Sequence, residues 1–139
     1  MIYIAFSDFI FHIIFGTMSF LSGLVSVILG ALYSGRIGKS KGHPELYKLH
    51  KWSGIITGIM VTITYIYMIL PPIFSGDMIT LRLHGWFATL SLIIVLIQVI
   101  LSITYKKHSK IKVLHLCLGY ILLGMLGFQL IFGMILVAI

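Results

Sequence analysis

Four long apolar runs, separated by short polar breaks, constrain this chain more than any other feature. They cover about residues 6–33, 49–70, 81–105 and 113–137. A membrane-crossing helix needs roughly 20 such residues, and the strands of a membrane β-barrel are about half as long. The runs therefore predict helices, and the fold class is all-α: an integral membrane four-helix up-and-down bundle, with residues 1–139 forming one transmembrane domain. Charged residues make up only 9% of the 139 residues and hydrophobic ones 60%. Soluble domains carry about 25% charge, so this chain has too few ions to cover a water-facing surface. Cys117 is the single cysteine, which excludes a disulfide scaffold, and the apolar content excludes disorder.

The breaks carry a direction. Gly35, Gly38, Gly42 and Pro44 mark the first loop, Pro71, Pro72, Gly76 and Asp77 the second, and Lys106 to Lys112 the third. Arg36, Lys39, Lys41, Lys48 and Lys51 sit in or beside the first loop, and Lys106, Lys107, Lys110 and Lys112 in the last. Arg82 alone among the basic side chains lies near the middle loop. If the spans alternate, nine of the ten basic residues share one side, and that side should be the cytoplasm. Both termini then face outward, with the plasma membrane the expected location. The net charge of +7 is thus a topology signal and not a nucleic-acid footprint. The first span lacks a basic leader, which argues against a cleaved signal peptide. Trp52 and Trp86 fall near span starts, as interfacial aromatics do.

Six histidines in so apolar a chain need a cause. His43 and His108 lie in basic loops and need none beyond solvation. The other four, His12, His50, His84 and His115, fall one to a span, near its first turns. A polar ring in lipid is costly, so these should face inward. Because the spans alternate, His12 and His84 share the outer depth, and His50 and His115 the inner depth. In an up-and-down bundle, spans one and three are diagonal, as are two and four. Each pair can therefore grip one flat macrocycle across the bundle's centre. Haem iron accepts two axial imidazoles, which suits electron transfer. No C-x-x-C-H motif is present, so the expected cofactor is haem b, two per chain. A zinc site would want about four ligands at one point, whereas these histidines split into two layers, expected about 15 to 25 Å apart.

Four residues beyond each histidine, on the same helix face, stand Gly16, Gly54, Ala88 and Gly119. A porphyrin lying along a helix needs such gaps, although close helix packing uses small residues too. Gly16, Ser19, Gly23, Ser26 and Gly30 form a longer small-residue stripe on the first span, facing a neighbouring span or a haem edge. Gln98 and Gln129 lie mid-span and are expected to bridge helices, or to approach a haem propionate if the bundle is offset.

With the histidines placed, the chain resembles the cytochrome b561 family. The resemblance rests on those four residues and on the segments Lys48-Leu49-His50-Lys51-Trp52-Ser53-Gly54, Leu83-His84-Gly85-Trp86 and His115-Leu116-Cys117-Leu118-Gly119. It implies a four-helix core with two b haems, held by His12 with His84 and by His50 with His115. Better-known members commonly have six spans; this chain matches the core alone. The resemblance further implies a transmembrane oxidoreductase that takes electrons from a small-molecule or protein donor, ascorbate or a quinone, and passes them to an acceptor on the other side. Arg36, Lys48, Lys51 and Lys112 would form the cytoplasmic substrate patch and Arg82 the outer one, unless the lysines serve topology only. So narrow a bundle leaves ring edges near lipid, which a homodimer would cover.

Two other functions fit the same residues. One is a small transporter or channel whose inward histidines bind protons or metal ions. The other is a structural subunit of a larger membrane complex, with the histidines bonding helix to helix.

Overall fold

The computed structural model describes the backbone of residues 6–38, 42–68, 83–104 and 109–138, and side chains within 10–11, 13–38, 42–67, 85–103 and 110–134. Lys39, Lys41, Arg82, Lys106, Lys107, His108 and the outer turn from Pro71 to Asp77 lie outside the described residues, as do the side chains of His12 and His84.

Each apolar run forms one helix: α1 (Phe6–Tyr33), α2 (Pro44–Met68), α3 (Leu83–Thr104) and α4 (Ser109–Ala138). Their ends follow local chemistry. At the end of α1 the Gly35 N–H reaches the Leu32 carbonyl at 3.1 Å and the Arg36 N–H reaches the Ala31 carbonyl at 3.0 Å. This paired closure needs a left-handed residue, and Gly35 supplies it at φ 73°. Pro44 opens α2, where its missing N–H costs nothing. Glu45 follows in the first turn, where the helix dipole favours an acid.

The helices pack as an up-and-down ring. α1 meets α2, α2 meets α3, α3 meets α4, and α4 closes the ring against α1. Among the described residues neither diagonal, α1 with α3 or α2 with α4, brings Cα atoms within 8 Å. The α1–α2 pair is the most extensively packed, because the small-residue stripe lets the backbones approach. A Cβ at Gly23 would meet Leu126 Cδ1 at 3.4 Å and Thr57 Cγ2 at 3.5 Å, so this glycine serves α4 and α2 together. One at Gly127 would meet Phe20 Cε2 at 3.2 Å.

Burial runs opposite to a soluble protein. Ile103 is 76% exposed, Trp86 73% and Ile100 61%, whereas the most buried side chain is Ser91 at 1%, with Ser19 and Thr57 close behind. Water would make that exterior untenable as a monomer surface; a lipid exterior makes it the expected one. The central apolar cluster is small: Val61, Ile94, Val95, Leu122, Met125 and Leu126, with Phe20, Phe87 and Leu118 against it. Three helices are long and apolar enough to cross a membrane, over Ile13–Tyr33, Gly85–Ile103 and Lys110–Met134. The fourth, α2, is the least apolar, with Glu45, Lys48 and Lys51 in its first two turns. The chain is an integral membrane bundle whose outer surface contacts lipid.

Candidate functional site: an inner imidazole pair and an outer cavity

His50 on α2 and His115 on α4 stand on diagonal helices whose backbones stay apart, yet their ring centroids are 6.1 Å apart with the planes at 90°. Both side chains therefore reach across the centre of the ring of helices. His50 and His115 are the residues that would hold a metal at this level. Among the described residues no group of three or more His, Cys, Asp or Glu gathers; the histidines stand as a pair.

The surroundings of the two rings differ. His50 is held by α1: its Nδ1 lies 2.8 Å from the Ser26 carbonyl oxygen, to which it donates, and 3.5 Å from Ser26 Oγ. Its ring rests against Gly30, where an added Cβ would lie 2.9 Å from Cε1. On the other diagonal member, the His115 carbonyl accepts a hydrogen bond from Gln98 Nε2 at 2.8 Å, which ties α3 to α4 at this depth. Gln98 Oε1 is buried without a hydrogen-bond partner among the described residues. Two neutral imidazoles in one internal layer are the donor type that haem iron accepts, whereas the orphaned Gln98 Oε1 is an acceptor and gives no bond to a carboxylate.

Neither Gly54 nor Gly119 opens onto free space. A Cβ at Gly54 would meet Ser26 Oγ at 3.5 Å, and one at Gly119 would meet Gln98 Nε2 at the same distance. These two glycines make room for polar side chains of neighbouring helices. The glycine that faces an inner imidazole is Gly30. Sequence spacing placed it in the α1 stripe without revealing its neighbour.

Between the apolar cluster and the end of the bundle that carries His12 and His84 lies a cavity of about 40 Å³ bounded by all four helices. Gly16 of α1 and Ala88 of α3 both line it, as do Ser19, Tyr65, Ser91 and Gln129. Thus the small residues four beyond His12 and His84 line one cavity from diagonal helices. Gly16 has room to spare: a Cβ there meets only Leu130 Cδ1, at 3.9 Å. Gln129 Nε2 donates to Ser91 Oγ at 3.1 Å, so this glutamine bridges α4 to α3.

The two levels can be measured along the helices. Fourteen residues separate Ser26, beside His50, from His12, and fourteen separate Gln98, bonded to the His115 backbone, from His84. Each interval is about 21 Å of helix. Both diagonal helices thus give the same interval, from Ser26 to the backbone of His12 and from Gln98 to the backbone of His84.

At the inner end, Arg36, Lys48, Lys51, Lys110 and Lys112 are exposed. Lys48 pairs with Glu45 at 3.2 Å. Tyr33 and Tyr47 stack obliquely at the same end, with centroids 5.5 Å apart. No protein-family model, curated protein or solved structure matches the chain significantly, so the cytochrome b561 resemblance rests on the residues quoted for it.

Proposed function

We propose that this chain is a b561-like dihaem cytochrome that moves electrons across a membrane. The observation that carries it is the approach of the His50 and His115 rings to 6.1 Å from diagonal helices whose backbones stay apart. Avoidance of lipid turns a polar ring inward, and here it brings two imidazoles from diagonal helices to one level. Iron bound between them would supply reversible one-electron reduction. The chain's own part is to hold and insulate. His50 and His115 serve as the inner ligands, with Gly54 and Gly119 on the adjoining turns. His12 and His84 serve as the outer ligands, with Gly16 and Ala88 opening the cavity beneath them. The apolar cluster between the levels keeps water out, and the interval of about 21 Å sets how far the electron must travel.

The finer assignments belong to the same proposal. Arg36, Lys48, Lys51 and Lys112 gather at the His50–His115 end, where an anionic donor such as ascorbate, or a quinone, would find positive charge. Arg82 would act at the opposite face. The basic end is cytoplasmic, both termini face outward, the membrane is the plasma membrane, and a homodimer would cover the ring edges that face lipid.

Haem quantitation on purified protein tests this. The wild-type chain should hold two haems b with sharp Soret and alpha bands on reduction. His50→Ala and His115→Ala should each remove the same one, and His12→Ala and His84→Ala the other. Loss of one shared spectral component from His12→Ala and His50→Ala would break the pairing. A folded, colourless protein would favour a proton or ion path instead, for which the cavity lined by Ser19, Ser91 and Gln129 is the supporting feature.

A further inference from the structure

We propose that Gly30 and the backbone carbonyl of Ser26 form a seat on α1 that fixes the tautomer of His50 and sets its strength as a ligand; this rests on the dihaem assignment above. Helix α1 bears no inner histidine, yet it meets the His50 ring at two points one turn apart. The Ser26 carbonyl lies 2.8 Å from Nδ1. A carbonyl only accepts, so Nδ1 must carry the proton, and in a neutral ring that leaves the lone pair on Nε2. Ser26 Oγ, at 3.5 Å, is at the outer limit of a hydrogen bond and is secondary.

Gly30 makes the approach feasible. A Cβ there would lie 2.9 Å from Cε1, 3.1 Å from Nδ1 and 3.5 Å from Nε2 of His50. Three ring atoms thus crowd the site where any other residue would carry a side chain. Ordinary carbon contact begins near 3.5 Å, so an alanine must push the ring back by about 0.6 Å. The ring has one direction of retreat, away from α1, and that stretches the bond to Ser26.

The consequence for a bound metal has a sign. An imidazole that donates its second N–H to a carbonyl is a stronger base toward the metal. A stronger donor stabilises the oxidised metal and lowers its reduction potential. The seat therefore holds the inner potential down, a bias that the outer pair does not receive from these atoms.

The test compares wild type, Gly30→Ala, Ser26→Ala and Gly23→Ala. Gly23→Ala alters the same stripe beside Leu126 and Thr57, with no imidazole close by. In haem-free full-length protein with 15N-labelled histidine, nitrogen chemical shifts should report His50 as the Nδ1–H tautomer. Gly30→Ala should shift it toward a mixture, whereas Ser26→Ala, which keeps the carbonyl, and Gly23→Ala should not. In the haem-loaded protein, Gly30→Ala should raise the inner midpoint potential or lower inner occupancy and leave the outer component unmoved. A wild-type His50 that is mainly the Nε2–H tautomer overturns the seat, as does a Gly30→Ala protein with unchanged tautomer and inner potential. If Gly30→Ala does not fold, the wild-type tautomer still decides. Failure of wild type to bind haem would refute the dihaem assignment separately, since the nitrogen shifts are read without haem.

Discussion

Ala88→Leu separates a packing void from a cofactor floor. Ala88 lines the outer cavity with Gly16, Ser19, Ser91 and Gln129, and the cavity measures about 40 Å³. An internal void costs about 24 cal/mol per Å³, so this one costs about 1 kcal/mol, which is the most that filling it can recover. Leucine adds three carbons, more than 40 Å³ accommodates, and overpacking costs about 1–3 kcal/mol. The net change in the haem-free bundle should therefore be a loss of about 0–2 kcal/mol, small against total stabilities of about 5–15 kcal/mol. Haem content should respond far more. A leucine on the wall beneath His84 would occupy space that the outer macrocycle needs, and content should fall from two haems to about one. Denaturant titration in detergent measures the first quantity and pyridine haemochrome per mole of chain the second. Retention of two haems with normal spectra in folded Ala88→Leu would refute the reasoning, and the cavity would then be a packing defect.

Gly119→Leu should drive its side chain into Gln98 Nε2, now 3.5 Å from the Cβ position, costing about 1–3 kcal/mol of stability and lowering inner haem occupancy; unchanged unfolding and haem content would show that Gln98 moves aside freely. Gln129→Leu removes the bond to Ser91 Oγ, and membrane bundles value such bonds at about 0.6 kcal/mol and at most about 1.7, so the unfolding midpoint should fall only slightly. Lys48→Ala breaks a solvent-facing pair with Glu45 and should change stability by less than about 1 kcal/mol, while any drop in reduction rate by an anionic donor would place Lys48 in the docking patch. Cysteines added at each terminus should label from outside the cell, and replacing Lys106, Lys107, Lys110 and Lys112 with glutamine should scramble that orientation.

Helix count, helix order and the up-and-down bundle were legible in the sequence because each depends on something local. Apolar length makes a span, glycine and proline end it, and alternation makes spans one and three opposite. Boundaries shifted where helix and membrane do not coincide. The second apolar run begins near Leu49, but α2 begins at Pro44, since a proline start and Glu45 favour helix outside the apolar zone. The last run begins near Val113, whereas α4 begins at Ser109. Both glutamines do bridge helices, as mid-span polarity suggested.

What each small residue faces was decided only in three dimensions. Spacing of four puts a residue on the same face as its histidine, but the neighbour opposite that face depends on the rotation of every helix, and the packing of all four sets those rotations together. Gly16 and Ala88 thus line one cavity, Gly54 and Gly119 lie under Ser26 and Gln98, and Gly30 receives the ring of His50. Periodicity along one chain segment carries no information about a contact between Gly30 and His50, two residues on different helices whose meeting is a property of the assembled bundle.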